Sequence, residues 1–358
     1  MLCHDALAMS SKLLALSLAV LLAVLFVVSL CLGSTNLLTP ADALQGAFAT
    51  IGLAEPLADY QAIARLRLLR VATAVAVGAA LALSGGLLQG VFRNDLASPG
   101  IIGVSSGASL GAALAILFIG GYGARFFPAD ELPSSDLLIT GMACVGAILT
   151  AFLVTAMATT NGRVSVPNLL LVGIAVNAII GGLLAAIQSF VLKDYEVAQA
   201  LFTWLFGRLD DRTPFQVGLV WCGLLLAASV LPFISFELDL LAGGEEDAEG
   251  LGVDTPRVKL IAVVAASIAA ATAVSVAGQI AFVGLVVPHL LRRLAGAPHR
   301  PLLVLCVLGG PVLLLGADLA QRLAFGDDRL QPGVTMSLLG GPFFLWLLVR
   351  NRRRLETW

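Results

Sequence analysis

Charged residues are scarce in this chain. Asp, Glu, Lys and Arg make up 12% of its 358 residues, whereas apolar residues make up 59% and the mean hydropathy is +0.97. Soluble globular domains carry about 25% charged residues, and about 20 apolar residues suffice to cross a bilayer as a helix. The composition excludes an ordinary soluble domain and predicts a polytopic membrane protein. The net charge of −2 gives no indication of nucleic-acid binding.

Lysines and intramembrane acids are also rare, and both absences concern the energy source. The three lysines, Lys12, Lys193 and Lys259, lie outside any GxxxxGK[ST] sequence, so the chain has no Walker A loop for ATP phosphates. Ion-coupled transporters place acids within the membrane, but here only Asp318 approaches such a position, at a predicted helix end. These absences favour a permease powered by a separate ATPase subunit. ATP and Mg²⁺ would be held there, and we expect no cofactor in this chain.

Cysteines are few and show no metal-binding pattern. The five are scattered and mostly lie within apolar runs, with no CxxC or Cys/His spacing that indicates a metal site. Such cysteines are typical of small core residues. We therefore expect no bound metal.

Ten apolar segments are predicted to cross the membrane as helices, which gives an all-α fold in one permease domain, residues 1–358. The predicted segments are 12–33, 71–92, 98–119, 136–158, 168–190, 215–236, 258–277, 279–295, 301–318 and 331–349. The first is interpreted as an anchor and not a signal peptide, because it is long and no small-x-small cleavage site follows. An even number of crossings puts both termini on one side, and the C-terminal RNRRR predicts that this side is cytoplasmic.

Two similar segments of opposite predicted direction indicate an inverted internal repeat. Residues 68–90 and 257–280 both combine a basic start, an Ala/Val-rich helix and a Gly–Gln break. Inverted repeats are typical of transporters, although biased composition alone also produces such matches. Each of these segments is followed by a second segment that Gly and Pro interrupt. Such interruptions leave backbone N–H and C=O groups without a helical partner, and lipid cannot hydrogen-bond to them. Residues 260–295 are also too few for two full crossings, so at least one helix there is predicted to be short or broken.

Several motifs resemble one family in the same order along the chain. The sequence SVAGQIAFVGLVVPHLLRRLAG, 275–296, is similar to the signature G-x-I-x-F-x-G-L-x-x-P-H-x-x-R of the iron-siderophore, haem and cobalamin permease family of ABC importers. The other motifs are RLRLLR, GGLLQGVFRNDLASPGIIGVSSGA, TWLFGRLDD, LLGADLAQR and LLGGPFFLWLL. The chain departs from the family at Leu69 and Asp95, which replace prolines, and at Arg208, which replaces a serine. In RLQPG, 329–333, the family's glutamate is absent.

The resemblance implies a permease subunit of a binding-protein-dependent importer in the bacterial inner membrane. Its expected partners are a second permease copy, two ATPase subunits and a periplasmic or surface-tethered substrate-binding protein. The expected substrate is an iron chelate, either a ferric siderophore or haem, with cobalamin as the alternative. Two other classes stay open: a proton-coupled secondary transporter, which predicts buried acids, and a non-transporting receptor, which needs no ATPase-docking loop.

The resemblance also assigns roles to residues on the predicted outer side. Arg67, Arg70 and Arg322 match arginines that receive glutamates of the binding protein. The alternative is that Arg67 and Arg70 anchor a helix at the interface and that Arg322 pairs with Asp318. Arginine suits the first role because its planar guanidinium binds carboxylate bidentately.

Arg208 is a candidate substrate contact on the same side. It follows Trp204 and Gly207 in an external segment, where it would meet an anionic chelate. An arginine paired with Asp210 or Asp211 is the equally open alternative.

Two further groups lie on the predicted cytoplasmic side. Loop 237–257 is expected to dock the ATPase through Ala248, Leu251 and Gly252, which match the family's Ala-x-x-Leu-Gly pattern; the alternative is a solvated acidic loop. The resemblance places Asn94 and Leu96 at the inner gate. The loop NGRVSVPN is a gate candidate by position alone. Pro288-His289 is expected to end a kinked helix near the ATPase, and His289 is not expected to bind metal.

Overall fold

Helices make up almost all of the computed structural model, which describes residues 10–33, 37–57, 59–122, 135–160, 163–296, 298–326 and 330–350. The helices are α1 (Ser11–Cys31), α2 (Pro40–Thr50), α3 (Gln61–Phe92), α4 (Val104–Leu117), α5 (Ser135–Ala158), α6 (Val166–Val191), α7 (Tyr195–Leu205), α8 (Pro214–Ser229), α9 (Leu231–Gly243), α10 (Glu245–Gly250), α11 (Thr255–Ala277), α12 (Val283–Ala295), α13 (His299–Phe325) and α14 (Pro332–Arg350). A 3₁₀ turn (Pro99–Ile102) precedes α4, and a π-helical turn (Phe118–Tyr122) follows it. Strands β1 (Thr159–Thr160) and β2 (Arg163–Val164) pair antiparallel between α5 and α6. The predicted all-α class is confirmed.

Every predicted membrane segment overlaps a helix, but the count of ten crossings is not confirmed. In the described ranges, six helices are long and apolar enough to cross a membrane, or seven if the bent pair α8 and α9 is one span. Helices α4 and α12 have 14 and 13 residues, about 20 Å at 1.5 Å per residue, which is less than the roughly 30 Å of hydrocarbon. The basic residues 352–354 and Arg329 lie outside the described residues.

The predicted sixth segment, 215–236, is two helices and not one. Helices α8 and α9 meet at Val230 with a bend of 56°. Pro232 lies in the first turn of α9, where a proline lacks the N–H that a continuous helix would need and clashes with the preceding turn. The first part of predicted loop 237–257 is therefore the end of α9, and α10 occupies the middle of that loop.

Local capping chemistry sets several helix starts. Thr39 and Asp42 form a capping box at α2, and Thr213 and Gln216 form another at α8, each followed by a proline in the first turn. The Asp254 side chain accepts from the backbone N–H of Arg257 at the start of α11. These caps satisfy N–H groups that have no partner within the helix.

The helical structure is interrupted between α11 and α12, as the sequence 275–296 predicts. Helix α11 ends at Ala277, and α12 begins at Val283. Gly278 has a φ of 72°, and its Cα faces the Trp204 carbonyl so closely that a Cβ would overlap it. Phe282 also has a positive φ of 67° and packs against Gly340 of α14. The prediction that at least one helix in 260–295 is short or broken is confirmed.

Helices α3, α11 and α13 form the core of the bundle. Helices α3 and α11 are rich in alanine, α3 and α13 contain glycines at close contacts, and most residues of all three helices are buried. A Cβ on Gly85 would overlap the backbone of Gly284 in α12, and a Cβ on Gly78 would overlap the backbone of Gly310 in α13. Small residues let helix backbones approach closely, which is how helices associate where lipid supplies no hydrophobic drive.

The two helices of the proposed repeat, α3 and α11, pack on each other in opposite directions. Arg70 near the start of α3 contacts Asp210, while the end of α11 accepts a hydrogen bond at the Ala277 carbonyl from the Arg208 N–H, 2.7 Å away. The start of one helix therefore lies beside the end of the other, as an inverted repeat requires.

Candidate functional site

The end of the bundle that we predict to face outward carries a buried ion cluster. Arg70 of α3 binds the Asp318 carboxylate of α13 through Nη2 to Oδ1 at 2.5 Å and through Nε to Oδ2 at 3.3 Å, and it also pairs with Asp210 in the α7–α8 loop. The side chain of Asp318 is only 1% exposed, whereas that of Asp210 is 28% exposed. The cluster holds α3, α13 and the α7–α8 loop together.

Asp318 is the centre of this cluster. It also pairs with Arg322 one helical turn further along α13, at 3.1 Å, and accepts a hydrogen bond from Gln321 at 3.2 Å. The Thr335 hydroxyl donates to Gln321 at 2.8 Å, which extends the network to α14. A buried carboxylate is tolerated only when cations and donors compensate for its lost hydration, and Asp318 has such partners on two helices.

Two of the predicted docking arginines contact the end of α1. Arg67 donates to the carbonyls of Leu30 and Cys31 at 3.3 and 3.2 Å. Arg322 donates to the carbonyls of Ser29 and Leu32 at 3.3 and 2.9 Å, and it also contacts the Ser29 hydroxyl. Cations stabilise the C-terminal carbonyls of a helix, where the helix dipole is negative.

Sequence reasoning offered these contacts only as an alternative. The helix-anchoring contacts of Arg67 and the Arg322–Asp318 pair are both present, and Arg67 and Arg70 are buried, each at most 9% exposed. The structure does bring the three arginines together at one end of the bundle. Their docking role stays a prediction, and for Arg70 and Arg322 it requires an incoming carboxylate to replace an internal one.

A cavity of about 410 Å³ with both apolar and charged lining residues lies beside this cluster, between α4, α5, α7, α8 and α11. Its charged lining residues are Asp136, Glu196, Arg208 and Arg212, and Trp204 contributes an aromatic wall. Arg208 pairs with Asp211, which is one of the two partners that the sequence offered. The Arg208 side chain remains 40% exposed, so the pair does not remove it from the cavity.

Arg212 was missed by the sequence reasoning. It donates to the carbonyls of Asp210 and Val276 at 2.8 and 3.0 Å, which fixes it in the cavity wall. Burial, and then the positive charge of Arg208, lower the pKa of Arg212 below its usual value. A cation that is partly desolvated beside another cation attracts an anion. Only the run of arginines and aspartates at 208–212 could have indicated this in the sequence.

The predicted ATPase-coupling loop forms the short helix α10 at the opposite end of the bundle. Ala248 is fully buried against the protein, whereas Leu251, at the C-cap, is 69% exposed. Gly252 has a φ of 89°, a conformation that glycine adopts without strain. Of the three predicted coupling residues, Leu251 therefore exposes an apolar side chain and Ala248 packs α10 against the protein. Gly252 lies in the turn that follows α10.

Ionic contacts hold α10 in place. Lys259 of α11 pairs with Glu245, the Thr255 hydroxyl donates to Glu249 at 2.7 Å, and Arg163 lies 3.9 Å from Glu249. Arg163 belongs to β2, in the loop that was a gate candidate by position. Its contact joins that loop to the coupling helix.

The predicted inner-gate residues lie in the turn between α3 and the 3₁₀ turn. The Asn94 side chain accepts from the Leu96 N–H at 2.9 Å, a local turn that both exposed residues share. Between them, Asp95 lies 3.4 Å from Arg292 and 3.8 Å from His289 of α12. Asp95, one of the departures from the family pattern, thus contacts the Pro-His-x-x-Arg motif, and sequence reasoning missed this contact.

No group of three or more His, Cys, Asp or Glu residues with metal-binding geometry is present in the described ranges. We derive no metal chemistry for this chain.

The sequence model of the FecCD transport family matches residues 21–350. The chain belongs to the FecCD transport family. It is therefore a permease subunit of an ABC importer, a transport component and a multi-pass membrane protein. Family members work with ATPase and substrate-binding partners.

Curated relatives carry different substrates in their names. The chain is 39% identical over 289 residues to the cobalamin import permease BtuC of Halobacterium salinarum, covering 80% of this chain and 73% of the relative. It is 38% identical to the hemin transport permease HmuU of Yersinia pestis, covering 81% and 83%. It is 34% identical to the iron(3+)-hydroxamate permease FhuG of Bacillus subtilis, covering 92% and 94%.

A solved structure of a metal-chelate type ABC transporter in an inward-facing conformation has the same fold. It superposes with a TM-score of 0.77 at 29% identity and covers 95% of this chain and 99% of that chain. The helical arrangement is thus that of an ABC transporter membrane subunit.

Proposed function

We propose that this permease imports an iron chelate, either a ferric siderophore or haem, across the bacterial inner membrane. The observation that carries the proposal is the cation pair Arg208 and Arg212 in the wall of the cavity between α4, α5, α7, α8 and α11. Iron chelates of both kinds carry carboxylate or other anionic oxygen groups, and guanidinium binds such groups well. Relatives named for hemin and for iron(3+)-hydroxamate support the same class.

Cobalamin is the second candidate, because two of the relatives with 36–39% identity are cobalamin or vitamin B12 permeases. A direct comparison decides between them. Cells that lack their own uptake systems would express this permease with its partner subunits, and uptake of ⁵⁵Fe-siderophore, haem and labelled cobalamin would be measured separately. Saturable uptake of cobalamin alone would contradict the iron-chelate proposal.

The import cycle that we propose depends on partner subunits. Two permease copies pair about a two-fold axis, two ATPases bind ATP and Mg²⁺ beneath them, and a substrate-binding protein delivers the chelate from outside. Both termini face the cytoplasm in this topology. The exposed Leu251 on α10 supports an ATPase contact, because an apolar side chain at a helix end can enter a groove on a partner.

A proton-coupled transporter would instead use buried acids. Among the described residues, the buried carboxylate of Asp318 is held by two arginines and a glutamine, which favours a structural role in joining α3 and α13. Uptake that survives collapse of the proton gradient but stops when ATP is depleted is the expected result. Uptake that follows the proton gradient alone would contradict the ABC mechanism.

We also propose that the outer ion cluster receives the binding protein. Asp210 is the more exposed of the two carboxylates on Arg70, so a glutamate of the binding protein would replace Asp210 while Asp318 stays in place. Because Asp210 is two residues from Arg208, this exchange would reach the loop that lines the cavity. Charge complementarity of this kind sets register and speeds association.

A further inference from the structure

An apolar groove of about 420 Å³ lies between α1, α12, α13 and α14. Every residue that lines it is apolar or glycine. Gly316 on α13 leaves it open, since a Cβ there would have only Leu25 within 4 Å, at 3.9 Å. The groove lies along membrane-spanning segments, so its natural surroundings are lipid chains and not water.

Three exposed cations lie at helix ends on the side of the bundle where α12 ends and α13 begins. Lys12 is in the first turn of α1, Arg293 in the last turn of α12 and Arg300 in the first turn of α13. In the described part of the chain, their side chains make no hydrogen bond or ion pair. Arg293 follows the lining residue Leu290 by three positions, which places the two as neighbours on the same helix face.

The shape of the groove restricts what fills it. Its lining on α13 runs from Gly309 to Ala320, about 16 Å of helix axis. Half of the roughly 30 Å hydrocarbon core is about 15 Å, so one acyl chain of one leaflet matches this length. The chain is apolar like the lining, and the nearby cations suit an anionic head group.

We propose that the groove binds one acyl chain of an acidic phospholipid, with its phosphate held by Arg293, Arg300 and Lys12. Basic clusters at the cytoplasmic ends of membrane helices attract acidic phospholipids, and apolar residues on α1, α12 and α13 complement the chain. The inference does not depend on the transported substrate. Only its assignment to the cytoplasmic leaflet uses the proposed topology.

Native mass spectrometry on the full-length, delipidated chain would test the proposal. Phosphatidylglycerol and phosphatidylcholine with identical acyl chains are added in separate titrations. We expect one phosphatidylglycerol per chain to be retained in preference to phosphatidylcholine. Arg293→Gln should weaken phosphatidylglycerol retention about 5-fold and leave phosphatidylcholine unchanged, and adding Arg300→Gln should weaken it further. Equal retention of both lipids by the unmodified chain would overturn the proposal.

Two kinds of variant distinguish lipid binding in the groove from lipid binding by general surface charge. Gly316→Leu should abolish the retained lipid by filling the groove, and Leu313→Phe provides a second filling variant if the first one fails to fold. Arg257→Gln removes an exposed cation from the start of α11, at the same end of the bundle but away from the groove, and should leave retention unchanged. Retention that survives both filling variants, or that falls equally with Arg257→Gln, would show that the lipid binds by general surface charge. A change of oligomeric mass in Gly316→Leu would instead assign the groove to a second copy of the chain.

Discussion

Arg70 and Asp318 lie 248 positions apart in the sequence, and their side chains meet at 2.5 Å in the buried core of the bundle. Asp318 also binds Arg322, so one carboxylate compensates two arginines. The pair joins the first and last thirds of the chain at the end that we predict to face outward. Breaking this ion pair is costly because the pair is buried. Water cannot reach the charge that loses its partner.

Asp318→Asn should destabilise the protein by about 3–5 kcal/mol, because it leaves two arginine side chains without their shared carboxylate. Thermal unfolding of the purified permease in detergent would measure the loss. Asp210→Asn should cost less, since Asp210 is partly exposed and water replaces its contact with Arg70. Equal melting temperatures for Asp318→Asn and the unmodified protein would show that the pair contributes no net stability.

Asp210→Asn should strengthen docking of the binding protein, because it frees one side of Arg70 for an incoming glutamate. Arg70→Glu should abolish docking. Surface plasmon resonance between the binding protein and the permease complex would measure both, and the affinity of the unmodified pair should fall as salt rises. Docking that is independent of salt and survives Arg70→Glu would remove the arginine cluster from the interface.

Leu251→Asp should uncouple the ATPase, since it places a charge in an apolar contact at a cost of about 1–3 kcal/mol or more. Substrate-stimulated ATP hydrolysis by the purified complex should fall, while membrane insertion of the permease is unchanged. Leu53→Asp is the matched control, because Leu53 is an equally exposed leucine beyond the end of α2. If the Leu251 variant keeps full substrate-stimulated ATP hydrolysis and the full stoichiometry of the complex, the assignment of α10 to ATPase coupling is refuted.

Arg208→Ser should weaken uptake of an anionic chelate and leave assembly unchanged. The substitution restores the residue type that the family has at this position and removes one of two cations from the cavity wall. Uptake kinetics of the accepted chelate would show a higher apparent KM. Unchanged kinetics would leave Arg208 as a surface residue paired with Asp211.

Gly284→Ala should destabilise the α3–α12 contact by about 1–3 kcal/mol, because its Cβ would lie 2.7 Å from the Leu81 carbonyl oxygen. Gly182→Ala in α6 is the control, since a Cβ there meets nothing within 4 Å and alanine favours the helix. Thermal unfolding of both variants would check this. If both melt alike, the close approach at Gly284 does not limit packing.

The amino-acid sequence alone determined the class of this protein and the approximate positions of its long apolar helices. Long runs of apolar residues cannot stay in water, and helices are the structures that satisfy backbone groups within such runs. The interruption at Gly278 to Phe282 was predictable because the segment is too short for two crossings. The family was also readable, since several short motifs occur in order.

Only the tertiary structure decided the partners of the charged residues. Asp318 was visible as an acid near a helix end, but its contact with Arg70 depends on how α3 and α13 pack, and no local pattern encodes that. The same holds for Asp95 and Arg292, which a helix crossing brings together. The bend at Val230 was missed because the run from α8 into α9 is continuously apolar, so hydropathy could not show where Pro232 breaks it. Hydropathy along the sequence determines which segments can enter the membrane, whereas packing of small residues in three dimensions determines which charges meet.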